Sequence, residues 1–224
     1  YIKPETKTDY IGFGTMNGKD GKPFKTREGG VLRLEYLLKD VEEAVYGKIQ
    51  ENRTMDENEA REAAKKIGLA AVKYGDLSNQ ASKDYIFDVE RFTSFEGNTG
   101  PYILYTMVRI KSILAKYTEQ TGVKPDAAIT YTNRDYSVSE TELMLAATRF
   151  SDMLVRAAKE LAPHKICQYI YDLSNAFNSF YHENKILVES DAAKQAQWIA
   201  LILLVLRILE TCVELLGFEA PERM

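Results

Sequence analysis

Apolar residues recur at steps of three and four along most of the chain after residue 30, the spacing typical of helices with one buried face. A first helix is predicted from Val31, and a second from about Glu59, separated by the polar stretch 52–58. The apolar stripes are Leu34, Leu37, Leu38 and Val41 in the first helix and Ala60, Ala64, Ile67, Ala71 and Tyr74 in the second. The following segment, 84–95, is apolar and aromatic without clear periodicity.

A third, longer helix is predicted after Thr99, which can cap it, and continues to about Thr121. Its apolar stripe consists of Ile103, Thr106, Ile110, Ile113 and Tyr117. A more polar stripe runs beside it and contains Tyr102, Tyr105, Arg109 and Lys116. The helical pattern breaks over 122–133, which we interpret as a boundary between subregions.

The remaining pattern predicts three more helices. Ser139-Glu140-Thr141-Glu142 is typical of a capping box that opens a helix continuing to Pro163. The apolar residues of that helix are Leu143, Ala147, Phe150, Leu154, Ala157 and Leu161. The helix after Pro163 should bury Ile166, Ile170, Leu173, Phe177 and Phe180, next to a stripe of Tyr171, Ser174, Asn178 and Tyr181. The last helix, about Ala192 to Leu216, is apolar nearly all round and should lie at the centre of a bundle.

The first thirty residues differ from the rest because glycines crowd among cations. The glycines are Gly12, Gly14, Gly18, Gly21, Gly29 and Gly30, and the cations are Lys19, Lys22, Lys25 and Arg27. Glycine allows positive φ and close approach of the backbone to a ligand, so this segment is predicted to be a mobile loop. The predicted fold is therefore all-α, a helical bundle preceded by a Gly-rich loop region with little or no strand.

Composition is ordinary for a globular protein: 224 residues, 45% hydrophobic and 28% charged, with a formal net charge of -4. A broad basic surface for nucleic acid is excluded, but local recognition of unstacked bases by aromatic side chains is compatible with 14 Tyr and 9 Phe. Cys167 and Cys212 lack metal or redox spacing, as expected of a cytoplasmic protein with no disulfide partner. The apolar run Trp198 to Leu206 is too short to span a membrane.

Self-contained catalytic signatures are absent from the sequence, and its two histidines, His164 and His182, stand alone and are interpreted as structural. Lys22 and Lys25 are more informative, because two lysines three positions apart in a glycine-framed loop can both reach one polyphosphate. On chemistry alone, a solvated basic turn explains them equally well.

Residues 12–27, Gly-Phe-Gly-Thr-Met-Asn-Gly-Lys-Asp-Gly-Lys-Pro-Phe-Lys-Thr-Arg, resemble the segment of arginyl-tRNA synthetases that replaces the Lys-Met-Ser-Lys-Ser loop of class I synthetases. The likeness continues from Gly12 to Met224. Residues 73–77, 95–102 and Arg109 resemble the family's connecting region. The later part of the chain resembles the family's helical anticodon-binding domain. The matching residues are Ala162-Pro163-His164 through Tyr169, Asp172-Leu173, Phe177-Asn178, Phe180-Tyr181, Leu215-Leu216-Gly217 and Pro221 to Met224.

The resemblance implies the C-terminal part of a ligase that attaches arginine to tRNA(Arg), using ATP with Mg²⁺, and a bundle of the class Ia anticodon-binding type. It implies three regions: a loop remnant of the catalytic domain (1–30), a helical connecting region (31–122) and an anticodon-binding domain (123–224). Lys22 and Lys25 take the places of the loop's two lysines and Thr26 that of its final serine, so all three are expected to be catalytic. The His-x-Gly-His motif and the nucleotide-binding sheet would lie upstream, so no cofactor is expected to bind this fragment alone.

Tyr171, Asn178 and Tyr181, with Met224 at the chain's end, are predicted to face splayed anticodon bases. Tyr102, Tyr105 and Arg109 are predicted to meet the inner side of the tRNA. The alternative for the tyrosines is that they merely cover the bundle with their rings. The alternative for the whole chain is a freestanding helical interaction module whose basic loop is only a turn. The Tyr1 start, which resembles an internal cut, favours the synthetase fragment.

Overall fold

The computed structural model describes residues 3, 5–23, 33–52, 55–126 and 134–224. Helices dominate this part of the chain, as predicted. In chain order the elements are β1 (Met16–Asn17), α1 (Leu34–Asn52), α2 (Glu57–Leu77), β2 (Tyr85–Ile86), α3 (Val89–Phe92), α4 (Gly100–Thr121), α5 (Val138–Thr148), α6 (Phe150–Lys159), α7 (Pro163–Glu183), a 3-10 turn (Ile186–Val188) and α8 (Ala192–Leu215).

Local signals in the sequence fix several helix ends. The hydroxyl of Thr99 accepts a hydrogen bond from the Tyr102 amide at 3.2 Å, which confirms the predicted start of α4. Asp56 caps α2 in the same way, accepting from the Glu59 amide at 3.0 Å. After α8, Gly217 takes a φ of 78°, and its carbonyl accepts a hydrogen bond of 2.5 Å from Lys73 on α2. The predicted starts of α2, α4, α7 and α8 and the predicted ends of α4 and α8 are confirmed to within two residues.

One large apolar core joins α2 and α4 to α5, α7 and α8. The predicted stripes of α2, α4 and α7 are all buried in the structure. Twelve residues of α8 are buried, Trp198 among them, so this helix lies at the centre of the bundle as predicted. The hydroxyl of the fully buried Tyr74 donates to the Cys167 carbonyl at 2.8 Å, which ties α2 to α7 within the core. The core runs through the predicted boundary at 122/123, and the division into three regions stays a prediction.

A smaller cluster packs α1 against α2 and α3, with Leu37, Val41, Ala71, Phe87 and Phe92 at its centre. Beside it, β1 and β2 pair in parallel, with Met16 opposite Tyr85. This short pair of strands agrees with the predicted fold, which has little or no strand. The stripe predicted for α1 is wrong at its first member, because Leu34 is 61% exposed.

The predicted capping box at 139–142 is wrong. Ser137 caps α5 instead, its hydroxyl accepting from the Glu140 amide at 3.2 Å. The carboxylate of Glu140 is not free to reach back to a cap, because it is buried and accepts hydrogen bonds from Arg134 and from the Trp198 indole. The hydrogen bond with Glu140 also raises the pKa of the Arg134 guanidinium.

The single helix predicted up to Pro163 is also wrong, because Arg149 separates α5 from α6. The hydroxyl of Tyr169 donates to the Ala146 carbonyl at 3.1 Å, and the insertion of a side chain into the helical hydrogen-bond ladder is a known cause of breaks. Leu161, predicted to be buried, is 48% exposed and has a φ of 49°. The chain must turn there because α6 ends at Lys159 and α7 begins at Pro163.

In the described part of the chain, no helix combines the length and the apolar character needed to cross a bilayer.

Candidate nucleic-acid interface

The polar stripes of α4 and α7 face one another and form a hydrogen-bonded cluster. Asn178 lies at its centre: its amide oxygen accepts a hydrogen bond of 2.6 Å from Arg109, and its amide nitrogen donates to the Tyr102 hydroxyl at 2.8 Å. The same hydroxyl donates to the Asn175 side chain at 2.6 Å. Burial raises the pKa of Tyr102, which keeps this hydroxyl protonated and able to donate. The cluster therefore fixes the outer edge of α4 against α7.

Arg109 lies between two tyrosine rings at this edge. Its guanidinium carbon is 4.7 Å from the centroid of Tyr105 and 5.2 Å from that of Tyr181, both within cation–π range. The two rings are 41% and 36% exposed, respectively. Tyr181 in turn stacks on the buried Phe177, with centroids 6.0 Å apart and ring planes 20° apart. The arrangement places two partly exposed tyrosines and a guanidinium together at the surface.

Tyr171 extends this surface along α7. Its ring lies 5.7 Å from that of Tyr102, at an angle of 60°, and is half-buried. Six of the predicted tRNA-binding residues thus meet in one place, and they are Tyr102, Tyr105, Arg109, Tyr171, Asn178 and Tyr181.

A groove of about 530 Å³ opens beside this surface, between α4, the end of α7 and the 3-10 turn. Such a volume lies within the roughly 300–1,000 Å³ usual for ligand sites. Arg109, Lys116 and Lys185 bring positive charge to its walls, and Tyr105 and Tyr181 bring aromatic rings. No pattern in the sequence selects Lys185 or Asn175 as a site residue. Lys116 could have been found, since it continues the stripe of Arg109 two helical turns further along α4.

Met224, the seventh predicted tRNA-binding residue, does not join the other six. It is half-buried and packs against the large core. Two residues earlier, Glu222 pairs with Lys111 at 3.5 Å. Lys111 follows Arg109 by two positions and so points about 200° away from it around α4. Between described residues, no hydrogen bond or ring contact joins Met224 to the tyrosines.

The described part of the glycine-rich loop includes Lys22 but not Lys25 or Thr26, which lie outside the described residues. Lys22 is exposed, its amide bonds the Asp20 carboxylate at 3.1 Å, and its carbonyl accepts from the Gly18 amide at 2.8 Å. Gly14 lies against the backbone of Lys83, and a Cβ added to Gly14 would fall 2.3 Å from the carbonyl carbon of Lys83. The glycine-rich loop therefore continues from β1, which is held against β2 by strand pairing.

Comparison with known proteins gives two family matches. A model described as the DALR anticodon binding domain matches residues 103–224, which include the groove between α4 and α7. A second, described as tRNA synthetases class I (R), catalytic domain, matches residues 1–89.

The arginine–tRNA ligase of Agathobacter rectalis is 56% identical over 232 residues, covering all of this chain and 38% of that protein. That of Alkaliphilus oremlandii is 54% identical over 96% of this chain and 36% of that protein. The solved arginyl-tRNA synthetase of Thermus thermophilus shares the fold, with a TM-score of 0.77 at 24% identity, over 95% of this chain and 35% of that one. The chain thus spans little more than a third of the length of these relatives, and it belongs to the arginyl-tRNA synthetase family.

Proposed function

We propose that this chain is the tRNA-binding C-terminal part of a cytoplasmic arginine–tRNA ligase, which joins arginine to tRNA(Arg) with ATP. The family matches support the assignment, as does their order along the chain, with catalytic-domain residues before the anticodon-binding domain. The same order counts against a freestanding interaction module, which would have no need of the loop.

The observation that carries the RNA-binding role is Arg109 held between the exposed rings of Tyr105 and Tyr181. Anticodon bases are unstacked and can lie flat on aromatic rings or guanidinium planes. Each such stacking contact contributes about 1–3 kcal/mol. Since Tyr181 is backed by Phe177, its ring loses little freedom when a base binds.

The remaining predicted residues fill supporting roles in this proposal. Asn178 and Tyr102 hold Arg109 in place. Tyr171 contacts the RNA at the margin of this surface, and an RNA contact by Met224 stays a prediction from the sequence. The anticodon limb thus lies across the edge of α4 and α7.

The glycine-rich loop has a separate role. Lys22 and Lys25 stabilise the charge that develops on the α-phosphate and pyrophosphate of ATP during arginine activation, and Thr26 donates to the same phosphates. Mg²⁺ accompanies ATP and would supply further charge neutralisation. Lys22 is exposed and leaves from the β1 segment, a placement that suits a loop closing over a nucleotide held by the rest of the catalytic domain. Alone, the 224-residue chain has no His-x-Gly-His motif and does not charge tRNA.

The test is aminoacylation by the full-length enzyme. Incubation with ATP, tRNA(Arg) and radiolabelled arginine should give charged tRNA, whereas labelled lysine should not. The isolated chain should bind tRNA(Arg) without charging it. If the full-length enzyme transfers no arginine to any tRNA, the proposed function is wrong.

A further inference from the structure

The groove between α4 and α7 is lined by three positively charged side chains. They are Arg109, Lys116 and Lys185, and the described residues contribute no Asp or Glu to its walls. Lys116 and Lys185 are exposed. In a chain with a formal net charge of -4, this concentration of cations is a local reversal of sign.

Two lysines in another large cleft, Lys66 and Lys111, form ion pairs instead. Between α2 and α8, Lys66 pairs with Glu219 at 2.7 Å, and Lys111 lies 3.5 Å from Glu222 and 3.9 Å from Glu210. Five glutamates line that cleft among its described residues: Glu62, Glu210, Glu214, Glu219 and Glu222. The contrast indicates that the cations of the α4–α7 groove are available to a ligand rather than used for ion pairs.

The two ends of the α4–α7 groove differ in chemistry. Tyr105, Arg109 and Tyr181 supply flat surfaces at one end. Lys116 lies seven positions after Arg109, about two turns or roughly 11 Å further along α4. Lys185 lies beyond the end of α7, next to the 3-10 turn. A chain that placed a base on the tyrosines could therefore run its backbone past both lysines.

We propose that Lys116 and Lys185 form a binding site for the ribose-phosphate backbone of single-stranded RNA, next to the nucleotide whose base stacks on Tyr181. This inference rests on the proposed tRNA-binding function and assigns two residues that the sequence had not selected. The lysines contribute affinity without reading sequence, because phosphates are the same at every nucleotide. Exposed aromatic rings in the same groove favour RNA over an acidic peptide, which has no need of a stacking surface.

The test is the salt dependence of tRNA binding by the full-length enzyme. For single-stranded contacts, log K falls against log salt with a slope of about -0.7 for each phosphate neutralised. The Lys116→Gln/Lys185→Gln variant should therefore have a slope shallower by about 1.4, with equal loss of affinity for tRNA(Arg) and for a tRNA with an altered anticodon. The matched control, Lys39→Gln/Lys65→Gln, removes two exposed lysines from α1 and α2 and should leave the slope unchanged.

Phosphate ethylation interference, measured on the unaltered enzyme and on the variant, provides a second test. Ethylated phosphates in the anticodon loop should block binding, and this interference should disappear with Lys116→Gln/Lys185→Gln. An unchanged slope, an equal effect of the control pair, or interference that persists in the variant would overturn the inference. The inference would also be overturned if the Lys116→Gln/Lys185→Gln variant lost binding to polyglutamate but kept its binding to tRNA. That result would indicate an acidic protein partner. If the unaltered enzyme does not bind tRNA(Arg) at all, the proposed function fails with it.

Discussion

Arg109 on α4 donates a 2.6 Å hydrogen bond to the side-chain oxygen of Asn178 on α7. Because a guanidinium is planar and carries five donors, one fixed hydrogen bond orients the others. The amide nitrogen of Asn178 is bonded to Tyr102, so the orientation is determined from both sides of the asparagine. The proposed RNA surface is therefore arranged before RNA arrives.

Asn178→Ala removes the acceptor that holds Arg109. We expect tRNA(Arg) affinity to fall about tenfold, corresponding to about 1.4 kcal/mol. The loss should occur with the helix content unchanged, as monitored by circular dichroism beside a binding titration. Ser179→Ala, at an exposed position next along α7, is the control. Equal affinities of Asn178→Ala and the unaltered protein would show that Arg109 needs no such support.

Tyr74→Phe tests the bond between α2 and α7. The Tyr74 hydroxyl contacts both the Cys167 carbonyl at 2.8 Å and the Asn98 side chain at 2.5 Å, and the residue is fully buried. Removing it leaves buried polar atoms without a partner, at a cost of about 1–3 kcal/mol. Denaturant unfolding of the chain should show this loss, whereas Tyr36→Phe, on a ring that is 53% exposed, should change stability little. Equal midpoints for the two variants would contradict the prediction.

The two cysteines should resist thiol reagents in the native protein. Burial raises the pKa of both Cys167 and Cys212 to about 12, so at pH 8 only about one thiol in ten thousand is ionised. Labelling at pH 8 should be slow in buffer and rapid in guanidinium chloride, with two thiols released on unfolding. Because the ionised fraction rises as pH approaches 12, native labelling should accelerate with pH. Rapid native labelling at pH 8 would contradict the placement of these residues.

Lys25→Ala in the full-length enzyme tests the role proposed for the loop. Loss of one aligned donor to developing charge typically raises a barrier by about 2.7–4 kcal/mol. Arginine-dependent exchange of pyrophosphate into ATP should therefore slow by about two to three orders of magnitude, with thermal stability unchanged. Lys7→Ala, at a side chain that is 84% exposed, is the control. An ordinary exchange rate would eliminate the role of Lys25.

Three of the elements that the sequence predicted correctly, α2, α4 and α7, bury one helical face. The stripes of α2, α4 and α7 have an unbroken period, and α4 also has its cap at Thr99. The residues that gather at the interface could be selected because each helix places its polar and aromatic residues on one stripe beside the apolar one. The pairing of those two stripes, however, depends on packing that no local pattern records.

The errors arose where distant side chains decided local structure. The Ala146 carbonyl at the break after α5 is bonded by the hydroxyl of Tyr169, twenty-three positions later, and the predicted capping box failed because α5 begins earlier, with Ser137 as its cap. Lys185 was missed for a similar reason: it joins Lys116 in one groove only after α7 has packed against α4. Such contacts become visible only in the folded chain.

The most direct test compares tRNA(Arg) with the same tRNA carrying an altered anticodon, each titrated against the unaltered protein and Tyr181→Ala. The unaltered protein should prefer the cognate tRNA, and Tyr181→Ala should lose about 1–3 kcal/mol of cognate binding together with most of that preference. Undiminished affinity and preference in Tyr181→Ala would mean that the ring only packs against Phe177 and that the anticodon binds elsewhere.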